Sequence, residues 1–192
     1  MDTIKIATPA DAENCLATLT LAFCNDPAIR WMFLQPSQYA QGLPLFAQAF
    51  GGAAFQQATA FYTDRFEAIA LWLPPNTQPD EAALMALIQQ GVEESKQPAL
   101  ASILEQLSGH HPQEPHWHLA MIGTDPIYQG HGYGSALLAH TLATCDQQRN
   151  SVYLEATNAR NVALYQNHGF EVLGTVQAEN SPTLYPMLRH PQ

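Results

Sequence analysis

A chain of 192 residues with 46% apolar content suits one domain with a sizeable core. Its 17 Asp and Glu against 7 Lys and Arg leave a net charge of −10, which excludes a basic nucleic-acid footprint and favours cationic ligands. Cys15, Cys24 and Cys145 are too few for a disulfide framework and lack zinc-finger spacing, no run reaches the ~18 apolar residues of a membrane span, and the first residues carry no apolar signal core; the expectation is a cytoplasmic protein without a metal.

Residues 3–7 alternate as a short strand, and Thr8-Pro9 then opens a helix, with Thr8 as N-cap and Pro9 at the first position. Leu16, Leu19, Thr20 and Phe23 recur at helical spacing until Asn25-Asp26-Pro27 stops them. Residues 28–55 read as one or two helices broken at Pro36 and Pro44. Their aromatic side chains, Trp31, Phe33, Phe46 and Phe50 among them, suit either a core or the wall of a substrate pocket. Residues 58–63 and 66–73 read as a hairpin around Thr63-Asp64-Arg65. Residues 76–115 carry two helical patterns, closed by Gly91 and by Gly109, and read as an insertion packed on one edge of the sheet. Strand character returns at residues 116–124, and Asp125-Pro126 ends it. The glycine-rich stretch Gln129-Gly130-His131-Gly132-Tyr133-Gly134 follows, then a helix with Ala136, Leu137, Leu138, Thr141, Leu142 and Cys145 on its apolar face. A strand at 151–157 puts Val152 and Leu154 on one face and Tyr153 and Glu155 on the other. A helix at 158–167 stops at His168-Gly169, and strands at 170–176 and 183–189 complete the chain. The alternation predicts an α/β or α+β fold with mixed strand directions.

Strand, glycine loop and helix together present bare backbone N–H groups to an anion. Glycine allows close approach, and the first helical turn leaves donors unpaired at the positive end of the dipole. A nucleotide-binding Walker loop needs a lysine that is absent here, and the glycine spacing is not that of a dinucleotide fingerprint. The spacing of Gln129, Gly132 and Gly134 resembles instead the pyrophosphate loop of the GNAT superfamily of acyl-CoA-dependent N-acyltransferases. A second stretch, Asn161-Val162-Ala163-Leu164-Tyr165 through Gly169-Phe170, together with Leu154-Glu155-Ala156 and Asn158, resembles the family's C-terminal signature at the right separation. The resemblance covers residues 116–190 by motif and residues 1–75 by architecture. It implies a mixed, mostly antiparallel central sheet splayed at the fourth strand, with helices on both faces. Residues 1–192 would form a single domain, with a helical insertion at about 76–115 between the third and fourth strands.

The same resemblance implies acetyl-CoA as cosubstrate. Its pantetheine arm would pair with Ile122, Gly123 and Thr124 as the sheet opens after residue 124. Its pyrophosphate would lie on the loop formed by Gln129, Gly130, His131, Gly132, Tyr133, Gly134 and Ser135, and Asn158 and Tyr165 would approach the thioester. Many members carry Arg or Lys in this loop; here Gln129 and His131 stand in those places.

Acyl transfer to an amine needs a base for the amine, a donor at the carbonyl oxygen and an acid for the departing thiolate. By motif position Tyr165 is the acid. The base is His118, which shares a strand face with His116, or Glu155 on the neighbouring strand. Cys145 sits in an apolar pattern and reads as core. The function this implies is N-acetyl transfer to a primary amine, of a small molecule or alternatively of a protein or peptide. A non-catalytic acyl-CoA-binding module is the rival. The expected partners are acetyl-CoA and the amine, with a homodimer left open and neither nucleic acid nor a membrane involved.

Overall fold

The alternating and helical patterns resolve, in a computed structural model that describes residues 3–192, into a seven-stranded sheet covered on both faces. Strand β1 (Ile4–Ile6) leads to a turn in which the Asp11 carboxylate accepts bonds from both the N–H and the hydroxyl of Thr8. Helices α1 (Ala12–Ala22), α2 (Pro27–Met32), α3 (Pro36–Gly51) and α4 (Ala53–Gln56) follow, then the hairpin β2 (Ala60–Thr63) and β3 (Ala68–Leu73). The insertion forms α5 (Glu81–Gly91) and α6 (Gln97–His110), and β4 (Trp117–Thr124), α7 (Tyr133–Gln147), β5 (Val152–Ala156), α8 (Ala159–Asn167), β6 (Glu171–Val172) and β7 (Tyr185–Arg189) complete the chain. The strand order is β1-β2-β3-β4-β5-β7-β6, antiparallel throughout except for the parallel β4–β5 pair.

All six residues of β3 are buried, which explains why it reads as a continuous apolar run rather than an alternation. Ile69 and Leu71 face α1 and α3, in one core with Leu19, Leu43 and Met121. Ala68, Ala70 and Trp72 face α7 and α8, in a second core with Leu119, Leu137, Leu142 and Leu154. Each such leucine, fully buried, contributes roughly 1.5–3 kcal/mol relative to exposure. Gly123 lets α1 lie directly on β4, since a Cβ there would stand 2.6 Å from the Cβ of Ala22.

Several expectations change. Pro36 is the first residue of α3, and Pro44 lies inside that helix rather than breaking it. Ala40, whose carbonyl a proline at position 44 leaves without its helical partner, is exposed to water, while buried Leu43 and Ala47 hold the helix to the core. Helix α6 runs through Gly109 to His110. The strand expected at 170–176 shortens to Glu171–Val172 plus a single bridge between Val176 and Leu184. The insertion lies over a sheet face, not at an edge: α5 packs on α3, Leu100 joins the core of Leu71 and Met121, and Ile103 packs on Val176 and Leu184.

The tight α1–β4 contact yields a test. Gly123→Ala should cost about 1–3 kcal/mol through overpacking against Ala22 and Leu19, read as a lowered urea midpoint with an unchanged slope.

Candidate active site

Strands β4 and β5 pair only at Trp117 with Val152 and at His118 with Tyr153. Beyond these, β4 stays with β3 as far as Thr124, while β5 stays with β7 as far as Ala156. The register of β3 against β4 slips between Leu71–Met121 and Trp72–Leu119, which makes Ala120 the extra residue of a β-bulge. The sheet therefore opens after His118, earlier than the expected point beyond residue 124. The edge of β4 that carries Ile122, Gly123 and Thr124 is left facing the gap. A cavity of about 600 Å³ extends from this gap, between β4 and β5 and under α2, α3, α5 and α6.

The two base candidates meet at the vertex. His118 Nε2 lies 2.9 Å from Glu155 Oε2, with side chains 9% and 14% exposed. Burial pushes the Glu155 carboxyl up, but the neighbouring His118, its hydrogen bond and then His111 outweigh that effect, and the group is held below the ordinary carboxylate range. The His111 ring, at the end of α6, stands 4.7 Å from those of His116 and Tyr153 and 5.7 Å from that of His118. Burial first, then the other histidines, depress the pKa of His111; burial does the same to His116. The Nδ1 of His116 lies 2.7 Å from the Glu114 carbonyl, which only accepts, so Nδ1 carries the proton. Sequence reasoning missed His111, although His110, His111, His116 and His118 crowd into one short stretch.

Tyr165 projects from α8 into the same cavity and is buried. Its phenol is raised above the ordinary value by burial and then by the charge of Asp26, so it is protonated at neutral pH. Asp26 was read only as a helix stop. One of its carboxylate oxygens caps α2 by accepting from the N–H groups of Ala28 and Ile29, both at 3.0 Å; the other accepts from Thr157, which lines the cavity. An Asp ahead of a helix-opening proline is the signal that could have shown this cap. Asn158 caps α8, its side-chain oxygen accepting from the Arg160 N–H at 3.1 Å, while Asn161 lines the cavity.

The glycine loop stands beside the open end of β4. Gly130 and Gly132 have φ of 80° and 85°, conformations that favour glycine, and the space beside both is open. Gly132 is the N-cap of α7, whose first helical bond runs from Ala136 N–H to the Gly132 carbonyl, so the Gly134 and Ser135 amides lie ahead of the ladder. The remaining loop side chains brace the loop. Gln129 donates to the Thr124 carbonyl at 3.2 Å, and His131 Nδ1 donates to the carbonyls of Tyr128 at 3.0 Å and Gln129 at 3.1 Å. Ser135 Oγ lies 2.8 Å from His168 Nε2, and the Tyr133 ring meets that of Tyr128 edge-on at 6.4 Å. Among the described residues, no group of three or more His, Cys, Asp or Glu is arranged to hold a metal ion, and no helix is long and apolar enough to cross a membrane.

A split mixed sheet beside a glycine-rich helix start, with a His–Glu pair at its vertex, is the fold of an acyltransferase. The chain belongs to the GNAT acetyltransferase family, whose sequence profile matches residues 59–170. It is 22% identical over 207 residues to an uncharacterized N-acetyltransferase of Schizosaccharomyces pombe, a match covering 95% of this chain and 81% of that one. A Corynebacterium glutamicum structure described as a histone acetyltransferase and related acetyltransferase superposes with a TM-score of 0.70 at 27% identity, over 100% of this chain and 98% of that one. Arylalkylamine N-acetyltransferase 2 of Aedes aegypti shares the fold with a TM-score of 0.69 at 12% identity, over 99% of each chain.

The depressed histidines set a pH dependence. In the folded chain His111 and His116 bind protons less readily than the ordinary histidine at 6.5. Their contribution to stability is therefore complete above that pH and falls as pH drops below it. Urea midpoints measured from pH 7.5 to 5.0 should decline, and the decline should be shallower in the double variant His111→Gln, His116→Gln.

Proposed function

We propose that the chain, acting as one domain, transfers the acetyl group of acetyl-CoA to a primary amine of a small molecule by direct attack. The observation that carries this reading is that the His118–Glu155 pair and Tyr165 line one cavity at the parting of β4 and β5. The residues present fit the acyl donor. The open edge of β4 at Ile122, Gly123 and Thr124 suits an extended amide-bearing arm as an added strand would. The turn at Gly130 and Gly132, with the start of α7, suits a pyrophosphate in an otherwise acidic protein. The helices of the 76–115 insertion close over the acceptor side, which favours a small molecule over a protein chain.

An amine of pKa about 10.4 arrives as an ammonium and must shed protons. With Nε2–H donating to Glu155, His118 offers its Nδ1 lone pair to an amine proton, directly or through one water, and the carboxylate stabilises the imidazolium that results. The nitrogen then bonds to the acyl carbon as the carbon–sulfur bond breaks, and a backbone N–H on the open edge of β4, at Ile122 or nearby, serves the carbonyl oxygen. Of the two protons the ammonium loses in becoming an amide N–H, one leaves through His118 to water. The other balances the proton that Tyr165 gives to the departing thiolate. No cysteine lines the cavity among the described residues, and burial pushes the Cys15 and Cys145 thiols up to about 12, which supports direct attack over a covalent acyl-enzyme.

Tyr165→Phe keeps the ring and removes the proton donor. Turnover should fall by about 10²–10⁴ with stability and acetyl-CoA affinity unchanged; full turnover at saturating acetyl-CoA would end the assignment. His118→Gln and Glu155→Gln should each displace the rising limb of the pH–rate profile, whereas a limb that stays in place in both would mean the proton leaves by water alone. Gly132→Asp places a carboxylate and a disfavoured φ in the loop, so calorimetry on the folded variant should show acetyl-CoA binding lost.

A further inference from the structure

Charge is distributed unevenly along the cavity. Phe46 and Phe50 of α3, Leu84 and Ile88 of α5, and Leu100 and Ile103 of α6 supply an apolar wall, to which Gln78, Ser108, Gln113 and Asn161 add neutral polar groups. Among the described lining residues there is no Lys or Arg, and the carboxylates are Glu155 and Glu81. Glu155 is engaged by His118, and Glu81, in the first turn of α5, is exposed to water. The buried Asp26 is held by the cap of α2 and by Thr157 and does not itself line the cavity. At the rim, Met85 and Leu104 line the cavity while remaining 50% and 45% exposed.

We infer that the acceptor is an apolar monoamine: one amino group on an alkyl or aryl body, with neither a carboxylate nor a second ammonium inside the cavity. This rests on the amine-acetylation reading above and names its substrate class. The reacting nitrogen has Glu155 and His118 to meet it at the vertex. A second ammonium a few carbons away would exchange water for Phe46, Phe50 and Leu84, while Glu155 is engaged by His118 and Glu81 stays in water at the surface. A carboxylate would find no cation at all. Such unpaired charges are costly to bury, whereas every methylene placed against these walls is favourable. The acidic surface draws cationic amines of every kind toward the mouth, so selection falls to the walls.

Matched pairs test this on the intact enzyme. Pentylamine and 1,4-diaminobutane differ by a methyl group for an ammonium, and 2-phenylethylamine and phenylalanine differ by a carboxylate. Thiol release with acetyl-CoA gives kcat/KM, and calorimetry without acetyl-CoA gives amine affinity independently of turnover. The monoamine should lead its partner by at least about tenfold in both readouts. From propylamine to hexylamine, kcat/KM should rise about fourfold per methylene. Leu104→Glu, at the exposed rim, should narrow the ratio of pentylamine to 1,4-diaminobutane. Equal or better use of 1,4-diaminobutane or phenylalanine would overturn the inference and leave acetyl transfer standing. Selective binding of the monoamines without turnover would uphold the inference and sink the acetyl-transfer reading. Failure of every amine to bind at millimolar concentration would overturn the inference.

Discussion

The parting of β4 from β5 is the constraint on which the rest of the site depends. Two registers, at Trp117 and His118, join the halves of the sheet, and each strand then follows its other neighbour. A continuous β4–β5 ladder would consume the backbone groups of Leu119 to Thr124 and leave no gap. The bulge at Ala120 works with the parting. It turns Met121 toward the α1–α3 core, where strict alternation from His118 would have set Ala120 and Ile122. The His118–Glu155 pair thus sits where the sheet stops satisfying itself.

Opposing electrostatic effects share this small volume. Burial raises the Tyr165 phenol and keeps its proton in place, while Glu155, in comparable burial, stays ionised because His118 faces it at hydrogen-bond distance. The environment widens a difference that phenol and carboxyl already have, leaving one group protonated and the other charged within the same cavity. The glycine loop carries no Lys or Arg, and what it presents is backbone, at Gly130, Gly132 and the start of α7.

What was legible in the sequence was local. The alternation that separates Tyr153 and Glu155 from Val152 and Leu154, and the helical stripe of Leu137, Leu138, Leu142 and Cys145, depend on near neighbours and stand as read. The His118–Glu155 contact joins two candidates that the sequence offered only as alternatives. What stayed hidden depends on partners distant along the chain. Pro44 remains helical because of what packs beside it. His111 matters because the end of α6 returns to the foot of β4, and Asp26 because Thr157 reaches it from beyond the end of β5. Asn158, expected beside the thioester, is taken first by the backbone of its own helix. The point at which the sheet divides is set by which strand each edge prefers, and no single segment records that choice.

The insertion between β3 and β4 has a consequence for how such a protein can diversify. Its entry and exit are fixed by the antiparallel pairing of two central strands, from Ala68 with Thr124 to Leu73 with His118. Whatever is threaded between those anchors changes the entropy of closing the loop only slowly with length. The groups suited to the acyl donor, on the far edge of β4 and at the start of α7, lie outside that segment. The segment 76–115 is therefore free to vary where it faces water, while its Leu100, Ile103 and His111 tie it to the two cores and to the His118–Glu155 pair.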